Sequence, residues 1–438
     1  MRMRAIWLLC ASAAFAGDGA PSRPAIDSPE LAKLGELSVG VRTVTLTQAD
    51  AADVLAPHKA RRLQVDLWYP AMLARGARPE LYHAALQSES PGPEVAFTMP
   101  GIAVRDAKPV AGHYPLVVVS HGRSNATAAL SWLTENLASK GYVVAAIRHE
   151  DPLRSNSLEI PEMLLRRPLD LAFAASSLQR SLAAQGLVDP ERTAIIGYSM
   201  GGYGVLTAAG ATLDPQGGAV QFVPDHQLAA YARGGARQAE LLVPNLKAVV
   251  AIAPAGGGAH DVWGADGLSA MTAPLLLIAG DHDLTVDYKT GARAFLDRAT
   301  AASRYLLTFK GGGHALGFDP APPQMRGTVW DISWFEDAVW RKERIIGINL
   351  HFITAFLDRY LKGDETRAAY LDGLVEDSSS GQWQAPPGTD YGAFSPGGAG
   401  VTLWKGFQRG YAENLELRQR GPQGPGPRPP AADASSGR

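Results

Sequence analysis

Cysteine is all but missing from this chain: one residue in 438, Cys10. It lies inside Ala5 to Ala16, an apolar stretch of small residues that follows the basic Met1-Arg-Met-Arg4 and ends in Ala14-Phe-Ala16, an A-x-A cleavage signal. This pattern reads as a secretory signal peptide cut after Ala16, so a periplasmic or secreted protein is expected. A lipid anchor on Cys10 fits poorly, because Leu9 stands where a small residue is required. A mature chain starting at Gly17 has no thiol, which excludes disulfides and a cysteine nucleophile. Long apolar runs are missing too. The leader is too short to cross a bilayer and no later stretch is long enough, so no integral membrane segment is expected. Charge of one sign is also lacking: 41 Lys and Arg stand against 43 Asp and Glu, a formal net charge of −2. No bulk field favours nucleic acid, and none is expected as a partner.

What is present is abundant apolar residue, 46% of the chain, enough for one large domain or two ordinary ones. Short continuous apolar runs recur at Pro115–Ser120, Tyr142–Ile147, Thr193–Ile196, Leu246–Ala253, Pro274–Ala279 and Tyr305–Phe309. Runs of this length and purity fit strands buried on both faces. Helical patterns lie between them: Leu130, Leu133 and Leu137 before a Gly141 stop, then Glu162 to Gln185 with Pro168 as a kink or a fresh start. Asn349 to Lys362 closes the series, with Leu350, Ile353, Phe356, Leu357 and Tyr360 on one stripe and Gly363 as its stop. Strands alternating with helices predict an α/β protein, with a mostly parallel central sheet flanked by helices. Two alternating strands, Val41–Thr47 and Leu63–Tyr69, precede it. The expected organisation is a signal peptide over 1–16, a lead-in over 17–40 and a main domain over 41–363. The irregular 211–245 is expected to form a small cap insert. A C-terminal extension over 364–438 follows, disordered from about 420, where Gly and Pro dominate.

The stretch that organises the chain is Gly197-Tyr-Ser-Met-Gly201, between the apolar run ending at Ile196 and the small residues of a helix start. A G-x-S-x-G at a strand-to-helix turn exposes its serine in a strained backbone, so Ser199 is a candidate nucleophile. A serine hydroxyl needs a base, and the base needs an acid to orient it. Among the histidines beyond 199, His226 falls in the cap segment and His260 in a loop. His282 stands where the acid belongs, and His351 lies within a helix. His314, on the Gly-rich loop Lys310-Gly-Gly-Gly-His314 after the last strand, is the candidate base. Asp281 and Asp283, in Gly280-Asp-His-Asp283, are both candidate acids. Backbone N–H groups are needed for an oxyanion. Met200 supplies one, and the loop His121-Gly-Arg123 supplies the other, with Arg123 favoured because Gly122 lets the backbone approach. His121 and Trp263 are candidate lining residues of a substrate pocket. Local pairs such as His149-Glu-Asp151 lack zinc-motif spacing, so no metal and no cofactor is expected.

Together, Val65-Asp-Leu-Trp-Tyr-Pro70, Val117-Val-Val-Ser-His-Gly122, Leu137-Ala-Ser-Lys-Gly-Tyr-Val-Val144, Arg167-Pro-Leu-Asp170, the elbow, Gly280-Asp-His-Asp283 and Gly313-His314 form an ordered set. The chain resembles α/β-hydrolases of the dienelactone-hydrolase-like and platelet-activating-factor-acetylhydrolase-like group. The resemblance implies that fold, a triad of Ser199, Asp283 and His314, and oxyanion donors at Arg123 and Met200. Dienelactone hydrolases use cysteine, so serine here turns the expectation from dienelactones to other carboxylic esters. Such an enzyme cleaves a small-molecule or polymeric ester through an acyl-enzyme. A cutinase-like polyester hydrolase and a non-catalytic binding protein on the same fold are the alternatives. Inserts at 71–112, 211–245 and 318–345 lie outside the shared motifs and are expected to shape the pocket.

Overall fold

The computed structural model describes residues 28–53, 56–87, 94–152, 154–390, 395, 398–408 and 410–423. The expected signal peptide over 1–16 and the tail beyond 423 lie outside the described residues.

The strands are β1 (Val39–Asp53), β2 (Ala56–Met72), β3 (Leu81–Gln87), β4 (Glu94–Pro100), β5 (Val104–Arg105), β6 (Lys108–Pro109) and β7 (Tyr114–Ser120). They continue with β8 (Val143–Arg148), β9 (Val188–Tyr198), β10 (Leu246–Ile252), β11 (Leu275–Gly280), β12 (Arg304–Phe309) and β13 (Leu415–Arg420). The α-helices are α1 (Ser131–Ser139), α2 (Glu159–Ala184), α3 (Met200–Ala208), α4 (Gly218–Phe222), α5 (Ala294–Arg298), α6 (Val329–Phe335) and α7 (Lys342–Lys362). The main sheet runs β13-β12-β11-β10-β9-β7-β8-β2-β1-β5. From β12 to β8 every pairing is parallel, while β2 and β13 join the two sides antiparallel.

Alternate side chains of each central strand enter different cores. Val117, Val119, Ile196 and Ile278 pack with α1 and α7, whereas Leu116, Val118, Ile195 and Leu277 pack with α2 and α3. Burial on both faces is why these strands read as continuous apolar runs rather than alternating ones. Helix α2 passes through Pro168, which has no N–H to give the carbonyl of Leu164. The Tyr203 hydroxyl donates to that carbonyl instead, at 2.6 Å, so the helix continues.

The chain leaves β7 for β8 on one side and then returns to β9 on the other. The crevice between the C-terminal ends of β7 and β9 is therefore a topological switch point, where open α/β sheets bind ligands. Ser199 follows one strand and the loop at 121–125 follows the other.

Two expectations are corrected. The segment 211–245 is no cap. Its buried Leu213, Val220, Val223, Leu228 and Leu241 join the core beneath α2 and α3, and its Val243 N–H bonds the carbonyl of Ala208 at the end of α3. The domain does not stop at 363, because β13 adds an edge strand to β12. The segment 71–112, expected as an insert, carries the β3–β4 hairpin. The Glu135 carboxylate of α1 pins that segment by accepting from the Tyr82 hydroxyl (2.7 Å) and the N–H groups of Ile102 (2.8 Å) and Ala103 (3.0 Å).

Candidate active site

Ser199 sits between β9 and α3 with φ 54° and ψ −115°, a conformation that side chains rarely adopt. The glycines on either side are required by space. A Cβ at Gly197 would lie 2.1 Å from the Gly201 carbonyl oxygen, and one at Gly201 would lie 2.1 Å from the Ser120 carbonyl oxygen. The Ser199 N–H bonds Ile252 O of β10 at 2.9 Å, and its carbonyl accepts from Tyr203 and Ala255. The surrounding backbone thus holds the strain in place.

His314 Nε2 lies 3.0 Å from Ser199 Oγ, and His314 Nδ1 lies 2.7 Å from Asp283 Oδ2. An ionised carboxylate only accepts, so Nδ1 carries the proton and Nε2 presents its lone pair to the serine hydroxyl. Burial raises the Asp283 carboxyl. The His314 imidazole and the N–H groups of Val286 and Thr285 outweigh it and hold the carboxyl below its ordinary value. Asp281 points elsewhere, accepting the Gly311 N–H at 2.6 Å. With His282 N–H on Gly312 O at 2.9 Å, it ties the turn after β11 to the loop after β12.

That His314 loop has no regular structure, yet four successive carbonyls each receive a side-chain donor. Tyr198 Oη donates to His314 O (3.1 Å), the Lys342 ammonium to Ala315 O, Asn349 Nδ2 to Leu316 O (2.9 Å) and Trp132 Nε1 to Gly317 O (3.0 Å). Donors from three separate elements, β9, α7 and α1, therefore hold His314 in position. Burial pulls Lys342 down to about 8.

Met200 opens α3, where the first N–H groups have no partner within the helix. Gly122, just before Arg123, stands against the elbow: a Cβ there would meet Ser199 Cβ at 3.4 Å and Tyr198 Cδ1 at 3.0 Å. The Arg123 side chain turns away to pair with Glu159 at the start of α2, at 2.5 and 2.7 Å.

The two pocket candidates are placed differently from one another. Trp263 is fully buried, stacked 5.8 Å from Tyr203 and edge-on to Phe295, with its Nε1 on Thr207 Oγ1. It is a core residue beneath the sheet. His121 is buried as well. Its Nδ1 lies 2.7 Å from Gly122 O, and its Nε2 accepts the His149 N–H at 3.2 Å. It borders a 420 Å³ cavity together with Tyr82, Arg105, Asn125 and Arg148. An aromatic series leads from the base to the inserts. Tyr198 lies 5.3 Å from His314 and 5.0 Å from Phe318; Phe318 lies 5.2 Å from Phe335 of α6, and Phe335 lies 6.2 Å from Phe97 of β4. The inserts at 71–112 and 318–345 therefore meet beside the His314 loop.

Sequence reasoning missed a polar cluster below the 121–125 loop. His149 bonds Ser120 Oγ and Asp170, both at 2.9 Å. Arg61 pairs with Asp170, and Arg167 pairs with Asp151. Arg167-Pro-Leu-Asp170 belonged to the motif set, but an arginine on a helix carries no sign of burial in its sequence. Among the described residues no group of three or more acidic, His or Cys side chains could hold a metal ion.

Known proteins resemble parts of this chain and its fold. A PET hydrolase-like family model matches residues 106–231, and a prolyl oligopeptidase family model matches 176–331. The ferulic acid esterase of Streptomyces cinnamoneus superposes with a TM-score of 0.52 at 21% identity, covering 79% of this chain and 94% of that one. This chain has the α/β-hydrolase fold. Among characterised relatives, cutinase 2 of Thermobifida cellulosilytica is 25% identical over 224 residues, which is 51% of this chain and 68% of that protein. The cutinase cut1 of Thermobifida fusca is 25% identical over the same length, and the match covers 56% of it. Cutinase est2 of Thermobifida alba is 31% identical over 113 residues, 26% of this chain and 35% of that protein. The candidate nucleophile motif Gly197-Tyr-Ser-Met-Gly201 lies inside the region matched by both family models.

Proposed function

We propose that this serine ester hydrolase cleaves carboxylic esters through an acyl-enzyme on Ser199. His314 removes the hydroxyl proton as Ser199 attacks the ester carbonyl and then returns it to the departing alcohol. Asp283 holds the imidazole in the required tautomer. The N–H groups of Met200 and Arg123 receive the oxyanion. Water, activated by His314, releases the acid and frees Ser199. The observation that carries this reading is the continuous chain from Asp283 through His314 to Ser199, at 2.7 and 3.0 Å, ending on a strained elbow. A fluorophosphonate probe tests it. Wild type is expected to be labelled and Ser199→Ala not; equal labelling of the two, or none of wild type, leaves a non-catalytic binding protein.

The preferred substrates are short-chain esters. The insert beside the base contributes only the seven-residue α6, too little helix for a long apolar lid. A p-nitrophenyl ester series should peak at acetyl or butyryl, and faster turnover of long chains would overturn this. The cutinase relatives and the PET hydrolase-like match favour a second reading, a polyester hydrolase. Release of soluble acid from an amorphous polyester film would select it. Within the superfamily, the order of the shared segments supports the dienelactone-hydrolase-like and platelet-activating-factor-acetylhydrolase-like group, with serine arguing against dienelactones as substrates. The basic and apolar start of the chain supports export, and no helix among the described residues is long and apolar enough to cross a membrane.

A further inference from the structure

Arg167 is the most deeply placed charge next to the elbow. It is fully buried on α2 and has no path to substrate. Its donors nevertheless converge on the loop after β7. Nη1 donates to His121 O at 2.5 Å, and Nη2 donates to Gly122 O at 3.1 Å. Asp151 holds the guanidinium from the other side, through Nε at 3.2 Å and through Nη2.

The Gly122 carbonyl and the Arg123 N–H belong to one peptide unit. That unit is planar and trans, so whatever fixes its oxygen also fixes the opposite direction of its N–H. The oxygen receives two donors, Arg167 Nη2 and His121 Nδ1. The second is a genuine donor, because His121 Nε2 is already occupied in accepting from His149 N–H. Burial, reinforced by Arg167, lowers His121 to about 4, so the imidazole stays neutral with its one proton on Nδ1. Two donors on one carbonyl leave the peptide plane little freedom to rotate. A cationic donor also withdraws density through the amide and makes its N–H a stronger donor.

We propose that Arg167 is a positioning residue for the ester-cleaving reaction, aiming and polarising the Gly122–Arg123 peptide so that the Arg123 N–H meets the oxyanion formed at Ser199. This rests on the function proposed above. It gives the pair of buried Arg167 and half-buried Asp151 a role beyond packing. Pro168 follows Arg167, and the Tyr203 hydroxyl supplies Leu164 O with the hydrogen bond that the proline cannot give.

The test is Arg167→Met, assayed on p-nitrophenyl butyrate beside wild type and Ser199→Ala. Loss of one oxyanion donor lowers kcat on the order of 10²–10³-fold, and misaiming one should cost roughly 10–100-fold. KM should stay within about twofold, because the ester ground state does not use the hole. Inhibition by an alkylboronic acid, which forms a tetrahedral adduct on serine, should weaken by the factor lost in kcat/KM. The acid limb of the pH profile should not move, because the triad is untouched. A merely structural arginine would lower the melting temperature and leave kcat and boronate affinity unchanged in the folded protein, and that result overturns the proposal. Should Arg167→Met fail to fold, Asp151→Asn replaces it. That variant keeps the arginine but loosens its grip, so kcat and boronate affinity should fall together by about 2–10-fold. Wild-type values in folded Asp151→Asn overturn the proposal equally. Residual turnover in these variants that vanishes on adding Ser199→Ala keeps the proposed function standing whatever Arg167 does. Full activity in Ser199→Ala itself would remove that function first.

Discussion

Asp281 and Asp283 are two residues apart and face different partners, which shows how much a single turn decides. The chain must leave β11 before a carboxylate can face an imidazole on the next loop, and only Asp283 has gone far enough. Asp283→Asn should reduce kcat by roughly 10²–10⁴-fold with little change in melting temperature, because the imidazole then loses the carboxylate that fixes its tautomer and stabilises its charged form. Asp281→Asn should instead cost about 1 kcal/mol of stability, from the weakened bond to Gly311 N–H, with kcat nearly intact. Measuring both quantities on both variants decides the matter. A well-folded, inactive Asp281→Asn beside an active Asp283→Asn would reverse the roles. The carboxyl of Asp283 lies below its ordinary value, so its contribution to stability is complete above the usual carboxylate range and is lost only as pH falls through that lowered value. At this scale the sequence was legible where chemistry demands a fixed spacing, as at Gly197-Tyr-Ser-Met-Gly201. It was not legible where packing decides. Trp263 follows β10 just as a pocket residue could, and only the rings of Tyr203 and Phe295 reveal it as core.

Among the elements, the central strands were readable because burial on both faces leaves an unbroken apolar run. The β3–β4 hairpin was not, since its residues lie among Pro, Gly and Ala and gain their burial from distant partners such as Phe335 and Glu135. Strand β13 does carry a period of two, in Leu415-Glu-Leu-Arg-Gln-Arg420, but the Gly- and Pro-rich run after it hid the pattern. The start of α7 offers a test of how such elements hold the base. Lys342 is buried, with its ammonium on Ala315 O beside His314. Burial lowers it to about 8 from an ordinary value near 10.5. Between those values the unfolded chain binds more protons than the folded one, so this group's contribution to stability rises with pH across that window. Below pH 8 the charged form is carried in both states and its burial penalty is complete. The stability difference between wild type and Lys342→Met should therefore shift in favour of wild type from pH 8 to pH 10.5. Chemical denaturation at a series of pH values reads it directly, and a difference that is flat across the window would show that Lys342 does not titrate there.

At the scale of the whole molecule, the boundary expected near Gly363 is a physical claim about what the hydrolase core can lose. The structure places β13 along the full length of β12, from Arg304 paired with Arg420 to Phe309 paired with Leu415. Before it, the chain buries Trp404 and Phe407 against Phe352 of α7, with ring centroids 5.7 and 6.1 Å apart. Trp404 also donates to Val375 O at 2.8 Å. Leu415 and Leu417 are buried as well. Each such side chain contributes about 1.5–3 kcal/mol on burial, so these four together are worth roughly 6–12 kcal/mol. That is comparable to the whole stability of an ordinary domain, about 5–15 kcal/mol. Their loss would also bare β12, whose row of unpaired N–H and C=O groups would then invite pairing with another chain. A chain cut after Gly363 should accordingly be recovered as aggregate rather than as active monomer. A chain cut after Gly421 keeps β13, along with the Gly421 carbonyl that receives Arg304 Nη1 at 2.8 Å, and should remain soluble and fully active. Expressing the two truncations side by side, with soluble yield and ester turnover measured on each, separates an extension that hangs from the fold from one that completes it. A soluble, fully active product ending at Gly363 would make β13 dispensable.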